Sequence, residues 1–187
     1  MKTNLPVVKS KRIILREITL DDYLDYFFIG SSVSTTKYLT WGPFEEPKDA
    51  YHMLYKFYIH RQDVGLPPAY AICDKRSGEM IGLIEYHTYL PMQNCAELGF
   101  LLREDWQGIG IMKEALDIMI DLGFNYLDLD KIVVGHVDLN VNCKKLIAKC
   151  GFKYEYSKYG GFTTKDTQEV RNILYYSIYK NEYERKF

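Results

Sequence analysis

The stretch DWQGIGIMKEAL, Asp105 to Leu116, joins an expected strand, Ala96 to Leu102, to a long amphipathic helix. Its two glycines, Gly108 and Gly110, let several backbone N–H groups turn toward one point, and the helix behind adds the partial positive charge of its N-terminus. This is an anion site without a lysine, suited to a phosphate or pyrophosphate. Glycine suits it because a Cβ hinders close approach and unusual backbone angles. The same spacing also fits a strand-to-helix turn that binds nothing, and both readings stand at this point. No GxxxxGK[ST] occurs, and the GxG lacks the third glycine of a dinucleotide fingerprint and falls mid-chain.

A chain of 187 residues suits one domain, read as 1–187. Hydrophobic residues at 47% and aromatics at 15% are enough for a sizeable core. With 24 basic and 25 acidic residues, the balance is not that of a general nucleic-acid binder. No apolar run approaches a membrane span and the N-terminus carries no cleavage-site pattern, so a soluble cytoplasmic protein is expected, with no membrane or nucleic-acid partner. Cys73, Cys95, Cys143 and Cys150 have no CxxC spacing, and the histidines form no HxxxH or HExxH. The cysteines therefore read as reduced, small apolar residues, and no metal site is expected.

Working outward, Lys11–Ile18 is a first strand. Thr19 and Asp22 form a capping-box pattern before a short helix with an apolar face of Leu24, Phe27 and Phe28. A second helix opens at Pro47, with Ala50, Leu54, Phe57 and Arg61 on one side. Strands follow at 69–73 and 80–86, with 87–94 as a connector into the fourth strand. Beyond the central helix come a strand at 131–137, a helix over 140–149 stopped by Gly151, and strands at 152–156 and 172–179. Tyr159 to Glu169 reads as a polar loop. The order predicts an α/β (α+β) fold: a mixed, mostly antiparallel seven-stranded sheet with helices on both faces.

In this order the segments resemble the GNAT superfamily of N-acyltransferases, in its RimJ/RimL-type branch. KRIILREI with TLDDY is similar to the family's opening strand and helix, MIGLIEY to its third strand and AELGFLL to its fourth. QGIGIMKEAL fits the cofactor loop Q/R-x-x-G-x-G/A, with Met112 where a small residue is usual. NVNCKKLIAKCGF fits NxxSxxxLxKxGF, with Cys143 in place of serine. The resemblance spans roughly residues 11 to 180.

It implies acetyl-coenzyme A as acyl donor and a sheet splayed between strands four and five. The pantetheine arm would lie along Leu101 and Leu102 and the pyrophosphate on the loop amides of Gln107, Gly108, Ile109, Gly110, Ile111 and Met112. Asn140 would contact the pantetheine arm, and it also suits a helix N-cap. Cys143 would sit near the thioester sulfur, as proton donor or neighbour, as inert packing, or as a nucleophile. Trp41, the second helix and the 159–169 loop would flank the acceptor, with Tyr159 and Glu85 as acceptor contacts.

An amine must be neutral to attack, and a lysine amine with pKa about 10.4 is almost wholly protonated at neutral pH. Glu97, on strand four, is the candidate base, against the alternative of a solvent-facing or ion-paired strand carboxylate. Glu85 and His87 are weaker candidates, and His136 reads as a satisfied core histidine. The resemblance implies a small-molecule or peptide amine as acceptor. Tyr175, Tyr176 and Tyr179 offer a homodimer face. Two other readings are an acyl-CoA-binding or regulatory module without catalysis, and a phosphate-binding domain for another nucleotide.

Overall fold

The structure, a computed structural model, describes residues 4–183; the two ends of the 1–187 domain reading lie outside the described residues. Eight strands among these residues form one sheet in the order β1-β2-β3-β4-β5-β6-β8-β7. They are β1 Val8–Lys9, β2 Ile13–Glu17, β3 Tyr70–Asp74, β4 Met80–Leu90, β5 Cys95–Leu102, β6 Lys131–Val137, β7 Lys153–Thr163 and β8 Val170–Tyr179. All neighbours are antiparallel except β5 and β6. The eighth strand is β1, too short to leave an alternating pattern; it pairs Val8 with Leu15 and Lys9 with Ile14.

Helices cover both faces. One core gathers α4 (Ile111–Asp121) and α5 (Val141–Lys149) over Ile132, Val134, Leu98 and Tyr86. The other packs α1 (Tyr23–Gly30) and α3 (Pro47–Leu54) over Leu83, Ala71 and Leu101. Between α1 and α3 lies a four-residue helix, α2 (Val33–Thr36). The start of α1 is tied by the Thr19 amide, which donates to Asp22 at 2.8 Å, and by Arg16, which donates to the same carboxylate.

Four local expectations are corrected. Residues 87–94 do not simply connect: β4 continues to Leu90 through a bulge between Tyr86 and Thr88. The 159–169 loop is shorter than expected, because β7 runs to Thr163 with an irregularity between Lys158 and Phe162. Gly160, at φ +63°, and Gly161, packed on Ile173, make that irregularity feasible and masked it as a loop in the sequence. The inner face of α1 is Tyr26 and Ile29, while Leu24 and Phe28 are exposed. After α3 the chain makes a wider turn of π-helical type, Tyr55–Ile59, which carries Tyr58 inward and leaves Phe57 outside.

Lys165, in the turn between β7 and β8, reaches across to the end of α2 and the segment after it. Its ammonium donates to the carbonyls of Thr36 (3.1 Å), Gly42 (2.9 Å) and Trp41. Tyr38 adds a bond to the Leu139 carbonyl at 3.3 Å.

Packing is tight where α4 runs into its final wide turn, Leu122–Tyr126. Tyr86 donates its buried hydroxyl to the Met119 carbonyl, and a Cβ at Gly123 would run into that hydroxyl and stand 2.7 Å from Ile132. Gly123→Ala is expected to lower stability by about 1–3 kcal/mol through overpacking. In a Tyr86→Phe background the added cost should be smaller, since the obstructing oxygen is gone; urea unfolding of the four variants measures both.

Candidate active site

β5 and β6 pair through only Cys95–Lys131, Ala96–Ile132 and Glu97–Val133. Beyond these pairs the strands part, β5 running on to Leu102 and β6 to Val137. The opening is a cleft of about 860 Å³. Glu97 is the last β5 residue to pair, so its carboxylate sits where the two arms diverge.

One end of the cleft is the glycine loop. Gly108 (φ +77°) and Gly110 (φ +85°) adopt the left-handed conformation that favours glycine. Gly110 is the N-cap of α4 and has no side chain to satisfy the helix's first amides. Arg12 pins the loop from behind, donating to the Ile109 carbonyl at 2.7 Å and to Glu114 at 2.8 Å. Glu114 also takes the Ser10 hydroxyl at 2.6 Å. Gln107 folds back onto the Leu102 carbonyl at 2.9 Å. α5 differs from α4 in carrying its own cap: Asn140 Oδ1 accepts the Cys143 amide at 3.1 Å.

The other end is lined by Trp41, Tyr58, Glu85, His87, Phe162 and Tyr175. Glu85 is buried and ion-paired with Arg61, which also donates to the carbonyls of Pro67 and Tyr86. Burial pushes the Glu85 carboxyl up, against the pull of Arg61 and Tyr58. The Glu97 carboxylate lines the cleft, with His87 Nε2 3.7 Å away. Burial raises its pKa above the ordinary value, with Lys158 opposing. Gly135 leaves room for it: a Cβ there would stand 3.0 Å from Glu97 Oε1.

Cys143 lines the cleft, and burial pushes its thiol up to about 12. His136 stacks on Tyr176, its Nδ1–H donating to the Val137 carbonyl at 2.8 Å. Its buried Nε2 has no partner, so only half of the histidine is satisfied. Burial holds its pKa below the usual value.

The cleft thus brings together Glu97, Cys143, Asn140, Trp41, Glu85, Leu101, Leu102, Gln107, Gly108, Gly110, Ile111 and Met112. Ile109 offers only its backbone to the loop; its side chain is 56% exposed. Tyr159 is not brought in: β7 carries it outward, 83% exposed, and Phe162 and Tyr175 of the same hairpin line the cleft instead. Tyr175, Tyr176 and Tyr179 do not share one exposed face, since Tyr176 is buried and Tyr175 stacks on Tyr156 inside the cleft wall. The sequence reading missed Arg12, Gly99 and Gly135, and it named Tyr175 only for a dimer face. Arg12 lies in the bend between β1 and β2 and Tyr175 on β8, with no motif to mark either, and the two glycines are signalled only by their contacts across the sheet. None of the four cysteines is in a disulfide. Among the described residues no helix is long and apolar enough to cross a membrane.

The model of the acetyltransferase (GNAT) domain family matches residues 12–153. An uncharacterised N-acetyltransferase of Bacillus subtilis is 27% identical over 80% of this chain and 84% of its own. The spermidine N(1)-acetyltransferase of Escherichia coli is 26% identical over 90% of this chain and 87% of its own. Among solved structures, the RimL ribosomal-protein α-N-acetyltransferase in complex with coenzyme A has a TM-score of 0.82 at 17% identity, covering 93% of this chain and 98% of that one. Its coenzyme A is held in a disulfide with a cysteine.

The raised thiol of Cys143 has a direct readout. Native protein at pH 8.5 should react with iodoacetamide at this position about 100-fold or more slowly than a free cysteine, whose pKa is about 8.5. Because the folded thiol holds its proton more tightly than the unfolded one, this group's contribution to stability is full below about pH 8.5 and falls as pH rises toward 12. Mass mapping of the alkylated native and unfolded chain separates Cys143 from the other three.

Proposed function

The chain belongs to the GNAT acetyltransferase family, and from that premise we propose that it moves the acetyl group of acetyl-CoA directly onto a primary amine, in a ternary complex. The observation that carries this reading is the position of Glu97, a desolvated carboxylate at the point where β5 and β6 part. Acetyl-CoA supplies an activated thioester. Its pantetheine arm fits beside the unpaired part of β5, at Leu101 and Leu102. Its pyrophosphate fits the amides from Gln107 to Met112, where α4 lacks a side-chain cap. Asn140 caps α5 and faces the same cleft, so both of its expected roles are compatible.

The acceptor amine sits on the Trp41 and Tyr175 side of Glu97. Glu97 accepts the proton an ammonium must lose before it attacks. A backbone N–H near Phe100 or Leu101 on the parted strand faces the charge that builds on the thioester oxygen. Burial pushes the Cys143 thiol up to about 12, which disfavours a thiolate nucleophile. Its part is to pack beside, or hydrogen-bond to, the departing sulfur. Since Arg61 already neutralises Glu85, Glu97 is the one cleft carboxylate left without a guanidinium partner. That favours an amine with a single positive charge, a protein N-terminal α-amine or a small monoamine, over a polyamine. Nothing in the cleft favours the module without catalysis.

Acetyl-CoA at about 100 times its dissociation constant should stabilise the chain by about 2.7 kcal/mol, a thermal shift of roughly 5–10 °C, with ATP giving none. Glu97→Gln should lower kcat by about 10²–10⁴-fold with an unchanged KM for acetyl-CoA. It should also abolish the limb of the pH profile that rises as the raised Glu97 carboxyl ionises. Unchanged turnover in Glu97→Gln from about pH 6 to 9 removes the base assignment.

A further inference from the structure

The bulge in β4 gives the cleft a second proton-carrying group. β4 and β5 pair Tyr86 with Leu98 and then Thr88 with Glu97, so His87 is an extra residue in the ladder. At such a bulge two consecutive side chains share one face and are re-aimed. Here they are His87 and Thr88, whose Nδ1 and Oγ1 stand 2.9 Å apart. The hydroxyl sets the ring, and the ring lies over Gly99. A Cβ at Gly99 would stand 2.8 Å from His87 Cδ2 and 3.5 Å from Nε2. Seated this way, the imidazole presents Nε2 to Glu97 Oε1 at 3.7 Å while 38% of its side chain stays open to solvent. Glu97 rests in the same manner against Gly135. Two side chains able to take a proton thus meet over two glycines, one deep in the cleft and one at its mouth.

We propose that Glu97 and His87 form a two-station proton exit, in which Glu97 takes the acceptor's proton and His87, a positioning and relay residue, receives it and delivers it to solvent. This rests on the acetyl-transfer reading above. An ammonium R–NH3+ gives one proton to the Glu97 carboxylate and becomes a neutral amine. The N–C bond forms and the C–S bond breaks. Of the amine's two remaining protons, one stays on the amide and one goes to the departing thiolate. The Glu97 O–H then breaks as an N–H forms at His87 Nε2, and the imidazolium, donating from Nδ1 to Thr88, loses a proton to water. Across 3.7 Å the hand-over needs a small side-chain swing or one bridging water.

The surroundings fit this use. Burial raises the Glu97 carboxyl, while burial and Arg61 lower the His87 imidazolium, so both shifts narrow the gap between the two groups. The other titratable groups facing the pair are Glu85, already held by Arg61, Lys158 from β7, and Tyr175 from β8, whose hydroxyl burial and Glu97 push up.

Two measurements on the full chain test the exit. In an NMR titration of the His87 ring, Glu97→Gln should lower its pKa by about 0.5 unit or more, because a carboxylate within 4–6 Å favours the imidazolium. A change under about 0.2 unit would mean the pair is uncoupled and overturns the proposal. In turnover with acetyl-CoA, using an N-terminal alanyl peptide and spermidine as acceptors, His87→Ala should lower kcat roughly 10-fold or more. The KM for acetyl-CoA should stay the same, and added imidazole should restore part of the rate. Gly99→Ala, which keeps both groups but displaces the ring, should produce the same kcat loss. A full rate in His87→Ala beside a crippled Glu97→Gln removes His87 and leaves Glu97 as base. Failure of the wild-type chain to consume acetyl-CoA with either amine overturns the transfer reading on which both residues stand.

Discussion

Backbone N–H and C=O groups inside a protein need partners, and β5 and β6 supply them to each other through only three residue pairs. Each arm of the resulting fork is firmly built on its other side. β5 pairs with β4 from Cys95 to Leu102, and β6 pairs with β8 along its whole length. The fork therefore stays open because each arm belongs to a sheet that is complete without the other. The unpaired edges are the polar groups available to an extended ligand, and the helix that must cross between two parallel neighbours, α4, delivers its N-terminus to the same opening.

This arrangement separates two jobs between the two faces of the sheet. The α4 and α5 face supplies the glycine loop, Asn140 and Cys143. The α1 and α3 face supplies Trp41, Tyr58 and the Arg61–Glu85 pair. Glu97 stands where the faces communicate. Of the two cleft carboxylates, Glu85 is spoken for by a guanidinium and Glu97 is not, so similar side chains on adjacent strands differ in their partners while burial raises both.

The sequence was most readable where one local rule acts without competition. Gly108 and Gly110 before an apolar stripe announced a left-handed turn and a helix, and the ordered run of segments announced the sheet and its splay. Asn140 could be placed as a cap because capping is a contact three residues long. What escaped depends on distant neighbours. Nothing around His87 signals a bulge, because the extra residue exists only relative to β5. Gly99 and Gly135 look like ordinary strand glycines until His87 and Glu97 are laid against them. Gly160-Gly161 misled in the other direction, reading as a loop within a strand that tolerates an irregularity. Phe57 and Tyr58 exchanged places because the wide turn, bonded i→i+5, takes up an extra residue and moves the inward position on by one.

Lys165 carries a consequence of its own. Its three N–H bonds converge on three carbonyl oxygens of one segment, much as ligands converge on a captured cation, and they hold the wall that includes Trp41. Burial draws its pKa down, yet losing a proton would leave one of those carbonyls unanswered. An amine becomes a nucleophile only when it has a lone pair to offer. An enzyme that acylates amines thus keeps one of its own beside the cleft in a chemically silent form, guarded by saturation of its hydrogen bonds and not by distance.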